Sequence, residues 1–133
     1  MKGRAPIAAV LLPHIDCPGP CPYCPPSEDP LAQDLLPDPI AVSRAVDLVY
    51  DRALAAGRRA TPPEISFFGG DLWALPRGIR TALLDTAEWE VRRGRACGIR
   101  MTLMPRSVLR APLAEFVARG LSTVEVPIHS LER

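Results

Sequence analysis

Four short apolar segments, separated by helix-forming segments, limit the fold of this chain more than any other feature. Residues with strand composition occupy 7–12, 64–68, 99–104 and 121–126. Between them, apolar residues recur at helical spacing in 39–56, 77–94 and 112–119. Strands that alternate with helices are typical of parallel strands joined by right-handed crossovers. We therefore predict an α/β fold, with a parallel sheet of about four βα units in one domain spanning residues 1–133.

The segments that follow the predicted strands are the natural place for a functional site. In parallel sheets, ligands bind at the edge formed by the carboxyl ends of the strands. These segments carry a cysteine-rich stretch, Gly69-Gly70-Asp71, Pro105-Arg106 and His129-Ser130. We expect all four to converge on one edge of the sheet.

The overall composition excludes few classes of protein. The formal net charge of +1 gives no strong field for nucleic acid. The longest apolar run, Ile7 to Leu12, is far shorter than the ~20 residues that cross a bilayer. Four cysteines without a secretory signal favour a reducing compartment, where clustered thiols bind metal more often than they form disulfides. We expect a cytoplasmic protein that does not associate with membranes.

Three of the four cysteines, Cys17, Cys21 and Cys24, lie within eight residues with the spacing C-x3-C-x2-C. We expect the fourth, Cys97, to pack at the opposite edge of the sheet, because it precedes the third strand; a four-cysteine zinc site is then awkward. An iron–sulfur cluster suits the pattern better, since thiolates are its usual ligands. Three thiolates on a four-iron cube leave one iron open for a small molecule. A small zinc-binding domain stays an alternative.

The cysteine spacing, with Tyr23 just before the third thiol, resembles the signature of the radical S-adenosylmethionine (SAM) superfamily. Further segments are similar to relatives of the Elongator catalytic subunit and of oxygen-independent coproporphyrinogen oxidase: 13–18, 64–76, 98–105 and 120–131. This resemblance implies a TIM-like partial (βα)6 barrel, of which the chain carries the amino-terminal portion and ends after the fourth strand. We expect a further carboxyl-terminal segment or a partner chain to complete the barrel.

The resemblance also implies cofactors and site residues. Cys17, Cys21 and Cys24 would bind a [4Fe–4S] cluster that cleaves SAM to a 5′-deoxyadenosyl radical, with flavodoxin or ferredoxin as electron donor. The residues expected at SAM are Tyr23 beside the adenine, Gly69, Gly70 and Asp71 at the amine, Arg106 at the carboxylate, and His129 and Ser130 at the ribose. Each of these has an ordinary alternative as a loop, turn or surface residue. The substrate, the fate of SAM and the oligomeric state are not specified by the sequence, and a non-catalytic iron–sulfur or SAM-binding module is the main alternative.

Overall fold

The computed structural model of the protein describes residues 4–15 and 36–128. Its strands are β1 (Ile7–Leu11), β2 (Glu64–Phe68), β3 (Gly98–Thr102) and β4 (Leu121–Glu125). Its helices are α1 (Ile40–Ala55), α2 (Arg77–Arg92), α3 (Pro105–Val108) and α4 (Leu113–Ala118), and a 3-10 turn covers Leu72–Ala74. The predicted strands and long helices are present with small shifts at their ends. The short helix α3 was not predicted; Pro105 begins it, where a missing N–H costs nothing.

All four strands are parallel, and the sheet order is β1-β2-β3-β4. Each strand therefore lies beside the next strand in the chain, and the helices between them form the crossover connections that parallel neighbours need. The α/β prediction, with four parallel strands alternating with helices, is confirmed. One irregularity interrupts the ladder between Ile99 and Arg100, where β4 carries an extra residue.

The hydrophobic core lies between the helices and one face of the sheet. Alternate strand residues point into it, and the largest of them, Phe67, Ile65 and Met101, are completely buried. Helix α1 contributes Val42 and Val46 to the same cluster. Apolar burial of this kind, at roughly 25 cal/mol per Å², is the main source of stability for such a domain.

A polar contact also joins α1 to α2. The Glu90 side chain is fully buried, and it accepts hydrogen bonds from Ser43 Oγ (2.7 Å) and from Arg93 Nε and Nη2 (2.9 and 3.0 Å). The Arg95 side chain donates a hydrogen bond to Asp47 on α1, and the Arg95 backbone carbonyl accepts one from the Tyr50 hydroxyl. A buried carboxylate needs such partners, so these contacts fix how the two helices pack.

The opposite face of the sheet carries polar side chains on β2, β3 and β4, beside the exposed apolar residues Ile7 and Leu11 of β1. Ala9, Ser66, Arg100 and Thr123 are neighbours across the four strands. Glu64 lies on the same face, two residues before Ser66. We call this the polar face.

Ion pairs organise the polar face around Arg100. Its Nε donates to Glu64 Oε2 at 2.8 Å, and its Nη1 donates to Glu125 Oε1 at 2.5 Å. The other Glu64 oxygen accepts from Ser122 Oγ at 2.7 Å and from Thr123 Oγ1 at 2.9 Å. Burial works to raise the pKa of Glu64, but the hydrogen bonds from Ser122, Arg100 and Thr123 outweigh it, so the pKa lies below the usual 4.5.

This lowered pKa predicts an acid-dependent loss of stability. Folded Glu64 binds protons less readily than the unfolded chain does, so its contribution is complete above pH 4.5 and is lost as the pH falls through the folded pKa. We expect Glu64→Gln to lower the free energy of unfolding at pH 7 by about 2 kcal/mol. The difference from the native protein, measured by urea unfolding, should stay constant from pH 7 to about pH 4.5 and shrink as the pH falls further.

The difference in stability between the native protein and Glu64→Gln reports on the charge of Glu64 alone. Glu88 has a pKa lowered mainly by its hydrogen bond from Arg119, but it titrates in both proteins and cancels in the difference. A difference that stays constant from pH 7 to pH 3 would show that the charge on Glu64 contributes nothing.

Candidate functional site

The carboxyl edge of the sheet brings together the residues that follow β1, β2 and β3. Residues 12–15 leave β1, residues 69–76 follow β2, and residues 103–106 follow β3. Three of the predicted positions, Gly69, Gly70 and Asp71, lie in the middle segment. The exits of β1, β2 and β3 therefore share one edge, as predicted, whereas the cysteine-rich stretch and His129-Ser130 lie outside the described residues.

Gly69 and Gly70 form a turn that presses against the exit of β1. Gly69 has a φ of +93°, a backbone conformation that residues with a side chain rarely adopt. The Gly70 N–H donates to the Leu12 carbonyl at 3.1 Å, and the Leu12 N–H donates to the Phe68 carbonyl at 2.8 Å. The two segments are therefore joined by backbone hydrogen bonds beyond the ends of their strands.

The contact leaves no room for a side chain at Gly70. A Cβ atom built there would lie 2.0 Å from the Pro13 carbonyl oxygen, and one at Gly69 would lie 3.0 Å from the Leu12 carbonyl oxygen. Chain packing alone thus requires both glycines. Their predicted approach to the SAM amine stays a prediction.

Asp71 joins the β2 exit to the β3 exit. Its Oδ1 accepts from the Trp73 N–H at 2.9 Å and caps the 3-10 turn. Its Oδ2 accepts from the Met104 N–H at 3.3 Å and from the Ser107 hydroxyl. The residue is only 8% exposed. This carboxylate therefore has a structural task, and its predicted bond to the SAM ammonium group stays a prediction.

Arg106 lies on α3 and is exposed. It lines an open groove of about 530 Å³ together with Trp73, Arg80, Ser107 and Arg110. Arg80 and Ser107 are site residues that the sequence pattern does not reveal. They line the same groove because Asp71, in the segment after β2, accepts hydrogen bonds from Met104 and from Ser107 of α3.

The remaining predicted site residues lie outside the described part of the chain. They are Cys17, Cys21, Tyr23, Cys24, His129 and Ser130. Within residues 4–15 and 36–128, no group of three or more His, Cys, Asp or Glu side chains is placed to hold a metal ion. In the same residues, no helix has both the length and the apolar content to cross a membrane.

Cys97 lies at the other edge of the sheet, just before the amino end of β3, as predicted from its position. Its N–H donates to the Pro63 carbonyl at 2.8 Å. It is exposed, so its predicted role as a packing residue is wrong. Partial burial of the thiol and the charge of Glu64 raise its pKa.

No protein-family model matches the chain, and no curated protein matches it in sequence.

The glycine turn predicts that a single methyl group disrupts the carboxyl edge. We expect Gly70→Ala to lower the free energy of unfolding by about 2 kcal/mol or more, because Pro13 and the β1 exit must shift to admit a Cβ. Chemical denaturation of the purified protein measures this loss directly.

Gly78→Ala is the matched control. Gly78 lies in the first turn of α2, and a Cβ there would meet no atom within 4 Å. Alanine favours the helix, so this variant should keep or gain up to about 1 kcal/mol. Equal stability of the two variants would contradict the close contact at Gly70.

Proposed function

We propose that the protein is a radical SAM protein in which Cys17, Cys21 and Cys24 bind a [4Fe–4S] cluster. The observation that carries this proposal is the position of the cysteine segment, which directly follows the first strand of a parallel α/β sheet. When bound, such a cluster supplies the electron that cleaves SAM to a 5′-deoxyadenosyl radical. The substrate of that radical is not identified.

The position of Cys97 supports a site of three thiolates rather than four. Ile15, two residues before Cys17, lies past the carboxyl end of β1, whereas Cys97 precedes the amino end of β3. A five-residue strand spans roughly 17 Å, and two residues of chain reach at most about 7 Å. Cys97 is thus too far away to be a fourth ligand beside Cys17, which argues against a closed four-cysteine zinc site.

The described residues at this edge would position SAM rather than react with it. The Gly69-Gly70 turn offers backbone without side chains, and Asp71 is fixed in place by its three donors. A carboxylate accepts about four hydrogen bonds, so one acceptor position of Asp71 is left for an ammonium group. Arg106 suits a carboxylate, because guanidinium groups bind carboxylates with two parallel bonds.

Anaerobic reconstitution with iron and sulfide tests this function. We expect the reduced protein to give a cluster EPR signal that SAM perturbs, and to release 5′-deoxyadenosine from SAM. Cys24→Ala should abolish both results, because two thiolates do not hold the cube. Cys97→Ser is the matched control and should retain both, since Cys97 lies at the other edge.

The possible outcomes separate the proposal from its alternatives. A cluster signal that SAM leaves unchanged would identify a non-catalytic iron–sulfur module. A SAM-perturbed signal without 5′-deoxyadenosine would identify a SAM-binding module without turnover. Loss of the cluster in Cys97→Ser to the same extent as in Cys24→Ala would overturn the three-cysteine site.

A further inference from the structure

Arginine side chains line the groove between the β2 and β3 exits. They are Arg80 from α2, Arg106 from α3, and Arg110 from the segment after α3, and among the described residues the lining includes no aspartate or glutamate. Its remaining lining residues are small, apolar or aromatic, apart from Ser107. The Ser107 hydroxyl donates to Asp71, which lies behind the groove lining.

Arg80 is held in a fixed position by neutral groups. Its guanidinium carbon lies 3.8 Å from the centre of the Trp73 ring, and its Nη1 donates to the Trp73 carbonyl at 2.8 Å and to the Leu75 carbonyl at 3.3 Å. Trp73 is itself fixed against Phe116, with ring centres 5.9 Å apart. The side chain of Arg80 is therefore ordered before any ligand arrives, which lowers the entropy cost of binding.

The two hydrogen bonds that hold Arg80 come from a single nitrogen of its guanidinium group. A guanidinium has five N–H donors in a rigid fork, and the bonds to the two carbonyls come from Nη1 alone. Among the described residues, neither Arg80 nor Arg110 forms an ion pair with a carboxylate. By contrast, Arg93, Arg100 and Arg119 each bond a glutamate. An ordered cation whose partners are all neutral suits an anionic ligand.

We propose that this groove binds a small molecule with two or more oxyanion groups, carboxylates or phosphates, through Arg80 and Arg110. The size of the groove, about 530 Å³, accommodates a small polyanion. Its place beside the carboxyl ends of β2 and β3 is where open α/β sheets bind ligands. The proposed binding depends on Arg80 and Arg110 and needs neither the cluster nor SAM.

Isothermal titration of the full chain, purified without iron, tests the groove. Pyrophosphate is the phosphate probe and citrate is the carboxylate probe, each titrated at matched ionic strength with sodium chloride as the blank. We expect saturable binding that Arg80→Gln and Arg110→Gln each weaken about tenfold, since each removes charge-assisted hydrogen bonds. Tighter binding of one probe identifies which oxyanion the groove prefers.

Arg77→Gln is the matched control, because Arg77 lies on the same helix as Arg80 but does not line the groove. Its affinity should stay within twofold of the native value. The stacking on Trp73 and the hydrogen bonds to the Trp73 and Leu75 carbonyls come from Arg80, so Arg110→Gln keeps the test valid if Arg80→Gln is poorly folded. Absence of saturable binding for both probes, or equal weakening by Arg77→Gln, would overturn the proposal.

Discussion

The contact between the Gly69-Gly70 turn and the backbone of Leu12 and Pro13 is the constraint on which the carboxyl edge depends. It ties the exit of β1 to the exit of β2 through the Gly70 N–H and the Leu12 carbonyl. This contact fixes the backbone at Leu12 and Pro13, which precede the cysteine segment in the sequence. The contact leaves no space for a Cβ at Gly70. The position of the turn against the β1 exit therefore depends on glycine at this residue.

Asp71 extends this constraint to the next strand. Its carboxylate accepts from the backbone on its own side and from Met104 and Ser107 across the edge. Three successive loops are thereby held to one another by one turn and one side chain. The groove lined by Arg80 and Arg110 follows from the same arrangement, because Asp71 holds α3 next to the segment that carries Trp73.

The sequence predicts the elements of this fold well, because the apolar spacing of long segments reports directly on strands and helices. The bounds of β2 agree with the prediction at both ends. Helix α3 was missed because four residues are too few to show a period. The exposure of Cys97 was missed because a lone cysteine does not reveal its surroundings.

The site is predicted less completely than the fold. The Gly-Gly-Asp turn was selected from its place after a strand, but the contacts of Asp71 with α3 join residues about 36 positions apart. The fixed position of Arg80 likewise depends on Trp73 and on two carbonyls that the sequence pattern does not reveal.

We propose that three clustered cysteines hold an iron–sulfur cluster at the carboxyl edge without help from Cys97. Metal and sulfide analysis of anaerobically reconstituted protein is the decisive experiment, with native protein and Cys97→Ser prepared in parallel. Both proteins should contain about four irons and four sulfides per chain. One zinc per chain with no iron uptake, or iron binding that disappears in Cys97→Ser, would contradict it.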